Sequence, residues 1–407
     1  MAASLAEHLE QITGFIYPNE VEIHWSILIV VYPYVTGLVA GAFILASLVK
    51  VFNVRAVQPT YRLALLTALA FLLIAPLPLN LHLGRPERAF EIFLTPNPTS
   101  AMAMFGFVYA WYLMGVLLLE IWFEYRHDLI LLGRSTRGPL RWLYRALALF
   151  SNDVSPAALA FDKKAIRVIT IIGIPSAFLL HGYVGFIFGS VKANPWWSSV
   201  LMPIVFLMSA IVSGIALVLL LYMVLTALRR RPIDMPCIDT ISSYLFYAVI
   251  VDFSLEGLDF IHRLYESEES VGILGKLITL KLSMSLLVLQ ILLGMLIPLG
   301  MLVVAKSRHF NDDMRKLLYF TSAILIQIGI FATRWNVVIG GQLFSKSFRG
   351  LMTYKMELTG IEGLGVALVL LVAPFVILGV LIRLLPLERA ETSSPSTERV
   401  PAPVVTG

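Results

Sequence analysis

Charge is what this chain has least of. Of its 407 residues only 14% are charged, against 58% hydrophobic, and the mean hydropathy is +0.84. Such values exclude a water-soluble domain of ordinary composition. Cysteine is nearly absent as well. Cys237 stands alone in a polar gap, and one thiol can hold neither a disulfide nor an iron–sulfur cluster. Any such cluster must belong to a partner. The stretch Met1 to His24 has no Lys or Arg, so it lacks the basic start of a removable signal peptide, and the first apolar run is expected to serve as the insertion signal. No fixed-period repeat is visible. The net charge of +5 is spread over gaps between apolar runs rather than gathered on a basic, aromatic-rich soluble face. It therefore reads as membrane topology and not as nucleic-acid binding.

What the chain does have is apolar runs of membrane-crossing length. Nine spans are expected, at roughly 25–52, 61–83, 101–124, 165–188, 198–228, 239–263, 273–305, 314–340 and 358–385. An odd number puts the two ends on opposite sides. Lys50, Arg55 and Arg62 fill the first gap, and Arg126, Arg134, Arg137, Arg141, Arg145, Lys163, Lys164 and Arg167 fill the third. Arg229, Arg230 and Arg231, then Lys306, Arg308, Arg315 and Lys316, continue the alternation. By the positive-inside rule the N-terminus is outside and the C-terminus cytoplasmic. The loop with Lys346, Arg349 and Lys355 is the exception. Trp196 and Trp197, in a short outer loop, are expected as headgroup-zone anchors. The chain thus divides into an outer N-terminal segment, 1–24, a transmembrane domain, 25–386, and a tail, 387–407, whose Ser, Thr and Pro content predicts disorder.

Ionisable groups in hydrocarbon are costly and usually face a cavity or a partner, and most of those at depth here gather toward the outer side. His24 opens the first span, His82 closes the second, His181 lies in "LLHGYVGF" and His262 closes the sixth. His82 and His262 read equally well as interfacial residues. In "SYLFYAVIVDFSLEGLDFIHRL", Asp252, Glu256, Asp259 and Arg263 fall at i, i+4, i+7 and i+11, one face of one helix. That face is either a structural ion-pair network or a proton relay beside a wet cavity. Arg334, in "IFATRWNVVIGGQ", is the candidate partner under both readings. In the first span Gly37 and Gly41 form a G-x-x-x-G spacing that admits a neighbouring helix, while His24, Trp25 and Tyr32 are placed to line a headgroup pocket. In "LNLHLGRPERAF", Gly84 followed by Pro86 is a helix stop. Arg85, Glu87 and Arg88 are then displayed on the outer surface, either snorkelling to lipid phosphates or meeting a ligand or partner.

Four stretches, "YPYVTGLVAGAF", "HLGRPERAF", "LLHGYVGFIFGS" and "RWNVVIGGQ", resemble in their order the NrfD/PsrC family of quinone-interacting membrane subunits, over about Glu22 to Pro386. The longer branch of that family includes HybB-like, DsrP-like and alternative complex III subunits, and "NVVIGGQLFSKSF" favours a DsrP-like, sulfur-linked member. The resemblance implies an all-α polytopic protein of two four-helix bundles with one additional span. It implies a site near the outer face for menaquinone or ubiquinone, and no haem or iron–sulfur cluster in this chain. It also implies a ferredoxin-like iron–sulfur subunit docked over that site, a catalytic or cytochrome c subunit beyond it, and a home in a prokaryotic cytoplasmic membrane. Asn19, His24, Trp25, Tyr32, His82, Arg85 and His181 are then the expected quinone residues. Asp252, Glu256, Asp259 and Arg334 are the expected proton pathway, and Glu87 and Arg88 the docking surface. Long members often have ten spans and only nine are counted here, which leaves the pairing of helices into bundles open. Two rival classes remain. A secondary transporter would carry an inverted repeat and midplane charges. A cytochrome b using His82, His181 and His262 would need four histidines at two depths, and the inner half offers none.

Overall fold

The computed structural model describes residues 22–266, 271–306, 310–345 and 350–388. Asn19, Arg308, Lys346, Arg349 and the tail from Arg389 onward lie outside them. Within hydrocarbon no water is available to the backbone, so a long apolar run closes its hydrogen bonds as helix. The helices are α1 (Leu28–Lys50), α2 (Tyr61–Ile74), α3 (Leu77–His82), α4 (Glu91–Leu94), α5 (Ala101–Ala110), α6 (Leu118–Ser135), α7 (Pro139–Leu147) and α8 (Pro156–Gly189). There follow α9 (Met202–Leu228), α10 (Met235–Glu266), α11 (Val271–Leu277), α12 (Ile297–Ala305), α13 (Asp312–Val338) and α14 (Leu364–Leu384). Wider π-helical stretches, Trp111–Leu117 and Ile278–Leu296, join α5 to α6 and α11 to α12. Among the described residues the only extended pairing is two isolated bridges, Glu22 with Thr353 and Phe344 with Leu351.

Eight helical segments among the described residues are long and apolar enough to cross a membrane: Leu28–Lys50, Arg55–His82, Ala101–Ser135, Pro156–Gly189, Met202–Leu228, Val271–Ala305, Asp312–Gln342 and Leu364–Leu384. Each matches one expected span. The remaining expectation, 239–263, falls in α10, whose 32 residues extend about 48 Å at the helical rise. Two boundaries differ most from expectation. The third span runs on to Ser135 and the fourth begins at Pro156, where Ser155 accepts the Ala158 N–H as its cap. Charged residues there, read from the sequence as loop, continue the helices beyond their apolar cores.

α1 is the central helix, nearly all of it buried. It packs on α2 and α8 in one group with α5 and α6, and on α9 and α13 in a second group with α10 to α12; α14 lies against α2. Lipid tails are as apolar as leucine, so helices associate by close approach rather than by a hydrophobic effect. Gly41 supplies that approach: a Cβ there would strike the Ala210 carbonyl and the backbone of Gly214. The packing reading of the G-x-x-x-G spacing holds, and Gly294 against Gly329 repeats the device between the second π-helical stretch and α13.

Buried polar groups are not confined to the His24 end. At the opposite end Arg62 Nε meets Glu124 Oε1 at 3.0 Å and Arg62 Nη2 meets Asp128 Oδ2 at 2.5 Å, while Lys50 reaches Glu124 at 3.0 Å. Tyr61 donates to Glu120 at 3.0 Å, and Arg126 pairs with Asp162 at 2.7 Å. The expectation missed this cluster because α6 carries Arg126 and Asp128 past its expected end at 124, and Glu120 and Glu124, within the expected span, were not counted among the costly residues.

Candidate functional site

The described chain begins at the His24 end, pinned beside the loop before α14. Ile23 N donates to Thr353 O at 3.0 Å, and Lys355 pairs with Glu22. This holds Trp25 in a stack on Trp197, with centroids 5.6 Å apart and planes at 22°. From there a row of rings runs inward. Trp197 lies 5.3 Å from Phe188, Phe188 lies 5.8 Å from Phe206, and Phe206 stacks on His181 at 5.7 Å. The Arg334 guanidinium sits 4.3 Å above the Phe206 ring. Trp196 and Trp197 are buried, which corrects their expected role as headgroup anchors. The last carbonyls of a helix have no intrahelical donor, and the two indoles supply donors to α13: Trp196 Nε1 to Asn336 O at 2.8 Å and Trp197 Nε1 to Val337 O at 2.6 Å.

Arg334 and His181 are both wholly buried. Arg334 Nη2 donates to Ser209 Oγ at 2.6 Å and lies 3.2 Å from His181 Nε2. An arginine has no lone pair to offer, so Nε2 is the acceptor and the ring proton belongs on Nδ1. That Nδ1, with Arg334 Nε and Nη1, has no hydrogen-bond partner among the described residues. Gly37 makes the room, since a Cβ there would lie 3.1 Å from His181 Cε1. Arg334 was expected to pair with the acids of α10. It lies within electrostatic reach of Asp252 and Glu256, but no described carboxylate makes an ion pair with it, because Ser209 and His181 draw the guanidinium between α8 and α9.

The acids of α10 face inward as their spacing predicts, and they find other partners. Asp259 pairs with Arg263 one turn on and accepts from Ser199. Arg263 in turn lies over Trp196 at 5.6 Å. Glu256 Oε2 accepts from Gln290 Nε2 at 2.8 Å, Gln290 Oε1 from Asn336 Nδ2 at 2.6 Å, and Asn336 Oδ1 from Ser285 Oγ at 2.5 Å. Asp252 Oδ1 and Glu256 Oε1 are buried without a partner among the described residues. α13 therefore stands between two polar clusters, Arg334 reaching one and Asn336 the other. Gln290 belongs to the long π-helical stretch, a geometry often found at functional sites.

The other expected residues do not join these clusters. His24 is exposed. Tyr32 is buried, its hydroxyl without a partner among the described residues and its ring edge-on to Phe105 at 5.8 Å. His82 Nδ1 lies 2.7 Å from Glu362 Oε2. Gly84 ends its helix with φ +29°, and Arg85, Glu87 and Arg88 are exposed beyond it. Arg88 is bound to Glu91 at 2.8 Å, and that hydrogen bond holds the Glu91 carboxyl below its usual range. Sequence reasoning missed Ser209, Phe206, Gln290, Asn336 and Glu362. Three of these carried a signal: Gln290 as the sole amide inside the run "SLLVLQILLGML", Asn336 inside the quoted stretch "RWNVVIGGQ", and Glu362 as an acid within the expected last span.

The family model described as polysulphide reductase, NrfD, matches residues 18–346. The chain belongs to the NrfD family. Both clusters lie inside the matched region, whereas Glu362 and α14 lie beyond it. This NrfD-family chain is 29% identical over 321 residues to a selenate reductase subunit of Mesobacillus selenatarsenatis, covering 77% of the chain and 73% of the relative. It is 24% identical over 339 residues to an Hdr-like menaquinol oxidoreductase integral membrane subunit of Archaeoglobus fulgidus, covering 82% and 74%. Protein NrfD of Escherichia coli is 27% identical over 210 residues, 51% of the chain and 61% of that protein.

Proposed function

We propose that the chain is the quinone-reactive membrane subunit of a multi-subunit respiratory oxidoreductase, passing electrons between the membrane quinone pool and a peripheral iron–sulfur subunit docked over the His24 end. The family and its relatives support the coarser part, a membrane subunit of a reductase complex. The observation that carries the finer part is the presence of unpartnered buried donors, Arg334 Nε and Nη1 and His181 Nδ1, in one cluster at the foot of the ring row that starts at Trp25. These residues fit a quinone: carbonyl oxygens accept from such donors, and flat rings guide a flat headgroup. When bound, a quinone supplies a two-electron, two-proton couple, so its site needs hydrogen-bond donors and a proton route.

The chain's own residues divide that work. Arg334 and His181 would each offer a donor to a quinone carbonyl oxygen, beside the aromatic rings of Phe206 and Phe188. Asp252 and Glu256 each keep an oxygen on which a proton can be held. The amides of Gln290 and Asn336, each donating at nitrogen and accepting at oxygen, tie Glu256 to α13 and make the proton-translocating reading concrete. The relative named as a menaquinol oxidoreductase subunit supports menaquinone, and the DsrP-like resemblance supports a sulfur-linked complex. Arg85 and Glu87, exposed and without an ion pair among the described residues, are the docking candidates, with Arg88 held by Glu91.

The test is quinol-coupled turnover of the assembled complex. His181→Gln removes the neutral Nδ1–H donor, so kcat/KM for quinol is expected to fall about 10-fold with assembly intact. Unchanged quinol kinetics in the assembled variant would remove this cluster from the site. His24→Ala is expected to weaken turnover less, and an assembled variant with parental kinetics would exclude His24.

A further inference from the structure

α7 lies outside every span and outside both clusters, in the basic segment between α6 and α8. In "RGPLRWLYRALALF", Tyr144 and Ala148 turn inward, and Tyr144 donates to Leu384 O at 3.1 Å. The other apolar side chains face out: Trp142 is 65% exposed, Leu149 70% and Phe150 63%, with Leu140, Leu143 and Leu147 exposed beside them. A basic helix with such an apolar exterior is built to lie in the bilayer interface.

Beneath it the fold makes a small cavity of about 40 Å³, in which Arg134, Arg141, Arg145, Ser151 and Asn152 face Ile130, Gly133 and Ala148. Gly133 lets α6 and α7 close on it, since a Cβ there would meet Arg145 Cγ at 3.1 Å. Arg134 is fixed by donating to Asn152 O at 2.6 Å. No carboxylate among the described residues pairs with any of the three arginines. The far wall is a helix-ending turn closed by Phe150 N to Arg145 O at 2.8 Å and Ser151 N to Ala148 O at 3.0 Å. Its left-handed positions, φ +52° and +56°, are filled by Leu149 and Phe150. Glycine is the usual occupant of such positions. Here two large apolar side chains stand there instead, pointing out beside the cavity.

We propose that this cavity holds the phosphate of an anionic phospholipid, gripped by Arg134, Arg141 and Arg145, while Trp142, Leu149 and Phe150 enter the acyl region alongside it. Guanidinium groups bind phosphate oxygens in paired, charge-assisted hydrogen bonds. A free phosphate would answer the arginines but not the exposed apolar turn beside them; a lipid answers both. The bound lipid would fasten the loop between the third and fourth spans to the membrane surface, whatever the chemistry at the His24 end.

The purified complex, stripped of lipid in detergent and then given phosphatidylglycerol or phosphatidylcholine, tests this by native mass spectrometry. The parent is expected to retain phosphatidylglycerol preferentially. Arg141→Gln with Arg145→Gln is expected to weaken that retention about 30-fold, from the usual attraction of two surface arginines to anionic lipid. A second variant, Leu149→Gly with Phe150→Gly, suits the turn's backbone and removes only the apolar contact; it too should lose lipid while assembling normally. Equal retention by the arginine variant, or by parent for both lipids, overturns the proposal. Displacement of the lipid by millimolar inorganic phosphate, with the glycine variant behaving as parent, overturns the lipid assignment in favour of a free-anion site.

Discussion

Arg334 shows how much a single buried cation asks of its surroundings. Its Nη2 is answered by Ser209 and His181 and its face by the Phe206 ring, while Nε and Nη1 have no partner among the described residues. Removing one partner strands a buried donor, so Ser209→Ala is expected to lower the stability of the assembled protein by about 1–3 kcal/mol, read as a fall in its thermal transition. Arg334→Lys tests the geometry rather than the charge. A lysine is a point charge on a flexible stem and cannot bridge Ser209, His181 and Phe206 as a planar fork does, so assembly with quinol turnover near parental values would show that the fork is not needed. The sequence marks His181 and Arg334 as costly residues at depth, but they stand 153 positions apart, and nothing local says that they meet. Ser209 is still less visible, because a serine in a membrane helix can satisfy itself on its own backbone.

At the scale of helices, what one helix decides alone was legible and what two decide together was not. The inward face of Asp252, Glu256 and Asp259 follows from spacing on α10. The chain from Glu256 through Gln290 to Asn336 joins three helices and has no pattern along the sequence. If that chain serves protons, Gln290→Leu should leave the complex assembled while slowing proton uptake in liposomes more than quinol oxidation by an artificial acceptor, and Asp252→Asn should do the same. Parental rates in both variants would reduce the α10 face to a structural network. Helix packing allows a sharper contrast. A Cβ at Gly41 would press on the backbone of α9, which cannot rotate away, whereas nothing lies within 4 Å of one placed at Gly300 on α12. Gly41→Ala is therefore expected to destabilise by about 1–3 kcal/mol or more, and Gly300→Ala to leave the thermal transition unchanged. Equal effects would mean that α1 and α9 have more slack than their glycines imply.

For the molecule as a whole, α10 sets the parity of the topology. Eight segments qualify by length and apolarity. If only they cross, both ends lie on one side; if α10 crosses too, the ends lie on opposite sides, as the alternation of Lys and Arg requires. Physical chemistry favours crossing. α10 is long enough to span, and Asp252, Asp259 and Arg263 are buried within the protein, where charged residues at membrane depth are tolerated. The loop that broke the charge alternation is also less anomalous than it reads, since Lys355 is paired with Glu22. Topology reporters fused after Arg231 and after Glu268 should therefore report opposite sides, cytoplasmic and outer, with one placed before Glu20 outside and one after Arg389 cytoplasmic. Reporters on either side of α10 that agree with each other would make it a helix that enters and returns or lies on the surface. That result would detach its acids from any route across the membrane and leave the Arg334 and His181 cluster as the remaining candidate site.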